Sequence, residues 1–103
     1  MQPIIKNKKT LLQQLDLHKN EIKSFGVKGL SLFGSFAKDQ MNDDSDVDFL
    51  VEFEPAKKNY DNFIELSFYL ESLLGRKVEL VTSQSLSKYI GPHILKQAEH
   101  VAL

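Results

Sequence analysis

Cysteine and tryptophan are both absent from this 103-residue chain, and it has only three prolines and five glycines. Without cysteine, neither a disulfide framework nor a thiolate metal site is possible. Long apolar runs are also missing, and none approaches the ~20 residues that a membrane-spanning helix needs. The basic first ten residues have no apolar stretch behind them, so they do not read as a signal peptide, and the expected compartment is the cytoplasm. Nor is there an excess of one charge. Thirteen basic residues face fourteen acidic ones, for a net charge of −1. That balance argues against a basic footprint for direct nucleic-acid binding. At this length the chain reads as one domain, residues 1–103, with nothing left over to clamp a template as a multi-domain polymerase does.

What is present is ordinary globular material, 42% hydrophobic and 26% charged. It is enough for one modest core. Helical and extended patterns alternate along the chain, which predicts an α/β (α+β) fold: a small mixed β-sheet with helices packed mainly on one face. A first helix is expected over 10–25, because Leu11, Leu15, His18, Ile22 and Phe25 share one stripe. His18 in that stripe reads as a packed or rim histidine rather than a ligand. Strands are expected over 29–33, 46–53 and 77–82, with one or two turns of helix over 36–41. A loop over 54–59 leads into a second long helix, 60–74, closed by Gly75. A last helix is expected to start at Pro92, with Ile94, Leu95 and Ala98 able to face the sheet. On the long helix, Ile64 and Phe68 lie off the core stripe. They are expected to pack under the 54–59 loop, a docking surface being the other reading.

Three features carry chemistry. Asp46 and Asp48, two residues apart at a strand start, would share one face. Like charges this close are unfavourable without a cation between them, and hard oxygen donors suit Mg²⁺ or Mn²⁺. Taken alone, the pair reads as a solvated acidic turn. Gly34-Ser35 ends a strand where a short helix begins, offering backbone N–H groups and a hydroxyl to phosphate. Alone it reads as a tight turn. Glu79 interrupts an apolar strand. It could reach the cation held by Asp46 and Asp48 if the two strands are neighbours, or it could be a charge that protects a sheet edge. Together the three make a metal–triphosphate site for in-line displacement at phosphorus.

These residues resemble the nucleotidyltransferase superfamily of the DNA polymerase β type. The resemblance rests on Leu32-Phe33-Gly34-Ser35-Phe36-Ala37, on the ten residues between Ser35 and Asp46, and on Ser45-Asp46-Val47-Asp48-Phe49-Leu50-Val51-Glu52-Phe53. The short chain and Val78-Glu79-Leu80-Val81-Thr82 resemble its minimal, MNT-type branch. The resemblance implies that Gly34 and Ser35 hold the triphosphate, with Lys38 close to the pyrophosphate. It implies that Asp46 and Asp48 bind two Mg²⁺ (or Mn²⁺) ions, and that Glu79 serves as third ligand and base. The implied reaction transfers a nucleoside monophosphate, AMP from ATP, to a hydroxyl of a partner protein. Minimal members act as antitoxins of HEPN-domain toxins, so a HEPN toxin is the implied partner. Two residues depart from the pattern. Lys38 stands where many relatives have arginine, which loses a bidentate grip on phosphate. Glu79 stands where aspartate is usual, which displaces the carboxylate by about an ångström. The alternative function is therefore a catalytically weak, nucleotide-binding antitoxin that masks its partner. A third reading is a small-molecule transferase acting as a homo-oligomer, with the acceptor between subunits.

Overall fold

The computed structural model describes residues 4–89 and 91–103. Asn7 starts the first helix: its side chain accepts the Thr10 N–H at 2.8 Å and caps α1, Lys8–Leu17. The helix predicted over 10–25 is broken at His18, whose backbone leaves the helical region at φ −114°, ψ 18°. Its ring Nδ1 hydrogen-bonds the Gln14 carbonyl oxygen at 3.0 Å, a local side-chain bond that competes with helix continuation. The chain restarts as α2, Lys19–Ser24. The apolar stripe survives the break, with Leu11, Leu15 and Ile22 fully buried, while His18 is half-buried.

Strand β1 spans Val27–Phe33, two residues longer at its start than predicted, and runs directly into the four-residue helix α3, Gly34–Ala37. That helix lies earlier than the expected 36–41 because Gly34 takes the turn at φ 75°. Strand β2, Val47–Phe53, follows the acidic turn, and a short 3₁₀ segment, Pro55–Lys57, occupies the expected loop. Helix α4 spans Tyr60–Leu74 as predicted, capped by Asn59 at one end and by left-handed Gly75 (φ 67°) at the other. Strand β3, Val78–Thr82, leads through a 3₁₀ turn to helix α5, Gly91–Gln97, and to a two-residue strand β4, Glu99–His100.

The four strands are ordered β3-β2-β1-β4. The sheet is mixed, with β2 parallel to β3 and antiparallel to β1, and β4 antiparallel to β1. Strand alternation gives it two unlike faces. On one face Val47, Phe49, Val51 and Phe53 of β2, Leu30 and Leu32 of β1, and Val78 and Leu80 of β3 are buried. They join one core with the helix residues Leu11, Leu15, Ile22, Leu66, Leu70 and Leu74. On the other face lie the alternate positions, Asp48, Leu50 and Glu52, which are half-buried or exposed. Leu95 of α5 is 56% exposed, yet with Ser31 and Leu50 it borders a hollow over the sheet. Phe68 is 65% exposed, and the 54–59 loop does not cover it as expected, whereas Ile64 is half-buried.

Candidate active site

The sheet register brings the predicted acidic residues to one place. Asp48 of β2 pairs with Glu79 of β3 on one side and with Phe33 of β1 on the other. Paired residues in neighbouring strands project to the same face, so Phe33, Asp48 and Glu79 form one row on the open face. Asp46 stands one pleat before Asp48, at the mouth of β2. Asp48 senses the other two. Asp48 is pushed up from 3.8 to about 6, first by burial, then by the charges of Glu79 and Asp46, with Glu79 also placed to accept the proton of a neutral Asp48. Burial and like-charge repulsion both disfavour its ionised form. Among the described residues, however, no three acidic or histidine side chains close around a single point as a finished metal cage. Glu79 is exposed and lies on an edge strand, as its alternative reading of a protective edge charge requires. Its pairing with Asp48 across β2 and β3 and its charge on that carboxyl tie it to the cluster as well.

Gly34 connects the cluster to the start of α3. Its φ of 75° is in the left-handed region, and a Cβ built on it would fall on the Asp48 Oδ2. The backbone of the strand-to-helix turn therefore lies directly against the Asp48 carboxylate, an approach no other residue type could make. Ser35, half-buried, follows in the first turn of α3, which no side chain caps. Lys38 closes that helix and is exposed, and among the described residues it forms no ion pair. The structure thus gathers Gly34, Asp46, Asp48 and Glu79, sets Ser35 beside them, and leaves Lys38 in solvent.

One residue in this region has no counterpart in the sequence reading. Arg76, immediately after the Gly75 cap, is the one buried charged residue among those described, with 8% of its surface exposed. Its Nη1 donates to the carbonyl oxygens of Asn42 (3.0 Å) and Ser45 (2.8 Å) and, more weakly, Asp43 (3.4 Å). Its Nε donates to the carbonyl oxygen of Ile5, and its guanidinium lies 5.0 Å from the centre of the Phe36 ring. All its partners are backbone groups or an aromatic face, so no motif of paired charges announces it. One signal was available: twelve of the thirteen basic residues are lysine, and the single arginine is this one.

The hollows of the surface lie farther along the same strands. One of about 250 Å³ is bounded by Ser31, Leu50, Leu95 and His100, one row beyond Asp48. The linings of this hollow and of two others, near Lys28 and near Tyr60, include none of the three carboxylates. The acidic row is a shelf, half-buried at Asp46 and Asp48, beside these hollows, and its chemistry singles it out.

Comparison with known proteins agrees with this fold. Residues 15–100 match the nucleotidyltransferase domain family. Over 88 residues the chain is 42% identical to the protein adenylyltransferase MntA of Thermococcus cleftensis, covering 84% of this chain and 88% of that one. A solved minimal nucleotidyltransferase superposes with a TM-score of 0.80 at 28% identity, covering 91% of this chain and 95% of that one. The fold is also that of a Shewanella oneidensis MNT antitoxin solved in complex with a tri-AMPylated HEPN toxin. There the TM-score is 0.57 at 22% identity, with 84% of this chain and 71% of that one covered.

Proposed function

Since the chain belongs to the nucleotidyltransferase family, we propose that it transfers AMP from ATP to a hydroxyl of a partner protein, and that the partner is a HEPN-type toxin which it neutralises. The observation that carries this reading is the row Asp46, Asp48 and Glu79, with Asp48 shifted to about 6 by burial and by its acidic neighbours. The relative named a protein adenylyltransferase supports the choice of nucleotide and of a protein acceptor. The tri-AMPylated toxin bound by a protein of the same fold supports the choice of partner.

The donor set fits a divalent cation: three carboxylates on one face, one of them already disfavoured as a free anion. Asp46 and Asp48 would hold Mg²⁺ or Mn²⁺, two ions with Glu79 as a further ligand. Bound there, the ions would neutralise charge on the attacking and leaving oxygens. The chain's own groups do the rest. The Gly34–Ser35 turn, with the Ser35 hydroxyl and uncapped amides, orients the phosphates beside Asp48. Glu79, exposed at the sheet edge and paired with Asp48 across the strands, accepts the proton of the acceptor hydroxyl. The acceptor oxygen bonds to the α-phosphorus as the bond to the β-phosphate bridge breaks, and pyrophosphate leaves with the electron pair. Such transfers depend chiefly on positioning and charge neutralisation. The cytoplasm, where ATP and Mg²⁺ are available, is the proposed compartment; no helix among the described residues is long and apolar enough to cross a membrane.

A second reading, neutralisation by masking without turnover, draws on the exposed Glu79 and on the lack of a finished cage. The test is incubation with α-labelled ATP, Mg²⁺ and the co-expressed partner. Label on the partner, lost in Asp48→Asn, supports transfer. Neutralisation that survives both Asp46→Asn and Asp48→Asn supports masking and removes the catalytic proposal.

A further inference from the structure

A buried arginine that grips only carbonyl oxygens is a costly arrangement, because its charge meets no carboxylate. Among the described residues Arg76 forms no ion pair. What it does instead is hold the turn that delivers Asp46. Nη1 reaches the carbonyls of Asn42, Asp43 and Ser45, and the next residue after that grip is Asp46. The turn has its own bracing: Ser45 N–H donates to the Asn42 carbonyl at 3.1 Å, and Asn42 N–H donates to Ser45 Oγ at 2.9 Å. Those bonds close the turn on itself but do not tie it to the body of the protein. Arg76 does. Its Nε is fixed on Ile5, and the Ile5 N–H in turn donates to the Leu74 carbonyl at 3.0 Å. The guanidinium plane rests on Phe36 of α3, one residue from Ser35. It touches both sides of the site, the acidic turn through hydrogen bonds and the phosphate-side helix through the ring.

We propose that Arg76 is a positioning residue for the carboxylate shelf, setting where Asp46 stands relative to Asp48 and to the start of α3, and so setting the affinity for the divalent cation. This rests on the reading of Asp46, Asp48 and Glu79 given above. Only a guanidinium can do it: its planar fork reaches Ile5 on one side and the turn on the other while stacking on a ring, and an ammonium cannot. Outer-sphere partners of this kind govern metal affinity by about 10–100-fold.

The experiment measures Mn²⁺ binding to the metal-free full chain by calorimetry, for wild type, Arg76→Lys, Asp48→Asn and Ile22→Val. The last is a core change in α2 that lowers stability away from the turn. The expected result is a loss of affinity of at least about tenfold in Arg76→Lys, with Ile22→Val unchanged. Wild-type affinity in folded Arg76→Lys overturns the proposal. Asp48→Asn keeps the two readings apart. If it binds Mn²⁺ like wild type, the metal reading itself fails; if it loses binding while Arg76→Lys keeps it, only the role of Arg76 fails. Should Arg76→Lys not fold, the wild-type protein decides. The Arg76 side-chain N–H resonances are followed during Mg²⁺ titration, and they move with the saturation curve of binding if the grip and the shelf are coupled. Resonances that stay fixed through saturation overturn it.

Discussion

Strand β2 presents two different proteins on its two sides. Val47, Phe49, Val51 and Phe53 point into the core and are at most 6% exposed, whereas Asp48, between the first two, faces an open shelf with its proton affinity raised. The core side gains stability from every residue it buries. The shelf side loses some, because a half-buried carboxylate beside two others is in a worse place than in the unfolded chain. The difference teaches that packing alone does not account for the acidic row. The strand would be more stable without it, and stability given up at one surface is the ordinary mark of a functional site.

The largest effects come from replacing adjacent residues on opposite sides of that strand. Asp48→Asn abolishes label transfer and Mn²⁺ binding, yet leaves a more stable metal-free protein at neutral pH. The sign follows from the raised pKa. The native state holds the proton more tightly than the unfolded chain, so stability is full below about 4 and is lost as pH rises through about 6. Asparagine removes that loss, so the melting temperature of the variant exceeds that of wild type at pH 7.5, and the gap narrows at pH 5. Phe49→Ala does the reverse. Emptying a fully buried aromatic site costs about 3–5 kcal/mol, seen as a lower urea midpoint, while activity per folded molecule is retained. If Asp48→Asn were destabilised at pH 7.5, the contrast between the faces would collapse.

Gly34→Ala tests the point where shelf and turn touch. The left-handed backbone costs an alanine about 1–2 kcal/mol. The new methyl also pushes the Asp48 carboxylate aside, and a displacement near 1 Å costs about 100-fold in rate. The urea midpoint and the transfer rate should therefore fall together, the rate far more than stability alone explains. A rate within twofold of wild type would mean that Asp48 does not need to stand where Gly34 lets it.

Glu79→Gln sharpens the comparison by removing one charge from the row. Burial is the larger cause of the Asp48 shift and remains, so the carboxyl moves only part of the way back from about 6 toward 3.8. The acid limb of any pH profile moves with it. Carboxyl carbon chemical shifts of Asp48 against pH measure this directly, and an unmoved titration would show that the two strands do not couple their acids.

How much of this was legible beforehand depends on the kind of signal. The two faces of β2 were readable because alternation is a local property, and Asp46, Asp48 and Glu79 could be placed together once β2 and β3 were taken as neighbours. Gly34 stood out through its position at a strand end. The break at His18 was not readable, because an unbroken apolar stripe fits one helix or two in succession. Strand β4 was not readable either: a Glu-His pair has no strand pattern. It is held from outside, by the Val101 N–H on the Leu30 carbonyl and by the Lys8–Glu99 ion pair at 2.6 Å. Arg76 escaped because its partners are carbonyls from about thirty to seventy positions away. Backbone acceptors are the same at every residue, so nothing in the side-chain pattern marks where such a grip will close.

The smallest effect is expected at Lys38, and its size tests whether the shelf is as open as it stands. An exposed cation acts through high-dielectric solvent and is worth up to about 1 kcal/mol, or roughly fivefold at 25 °C. Lys38→Ala should therefore raise the KM for ATP by no more than that and leave kcat alone, with the difference vanishing at high salt. Lys38→Arg should lower KM slightly, since a guanidinium can grip two phosphate oxygens. A loss of a hundredfold or more in Lys38→Ala would mean that Lys38 leaves solvent when ATP binds. The helix α3 would then close over the phosphates, and the shelf would be a pocket in the loaded enzyme.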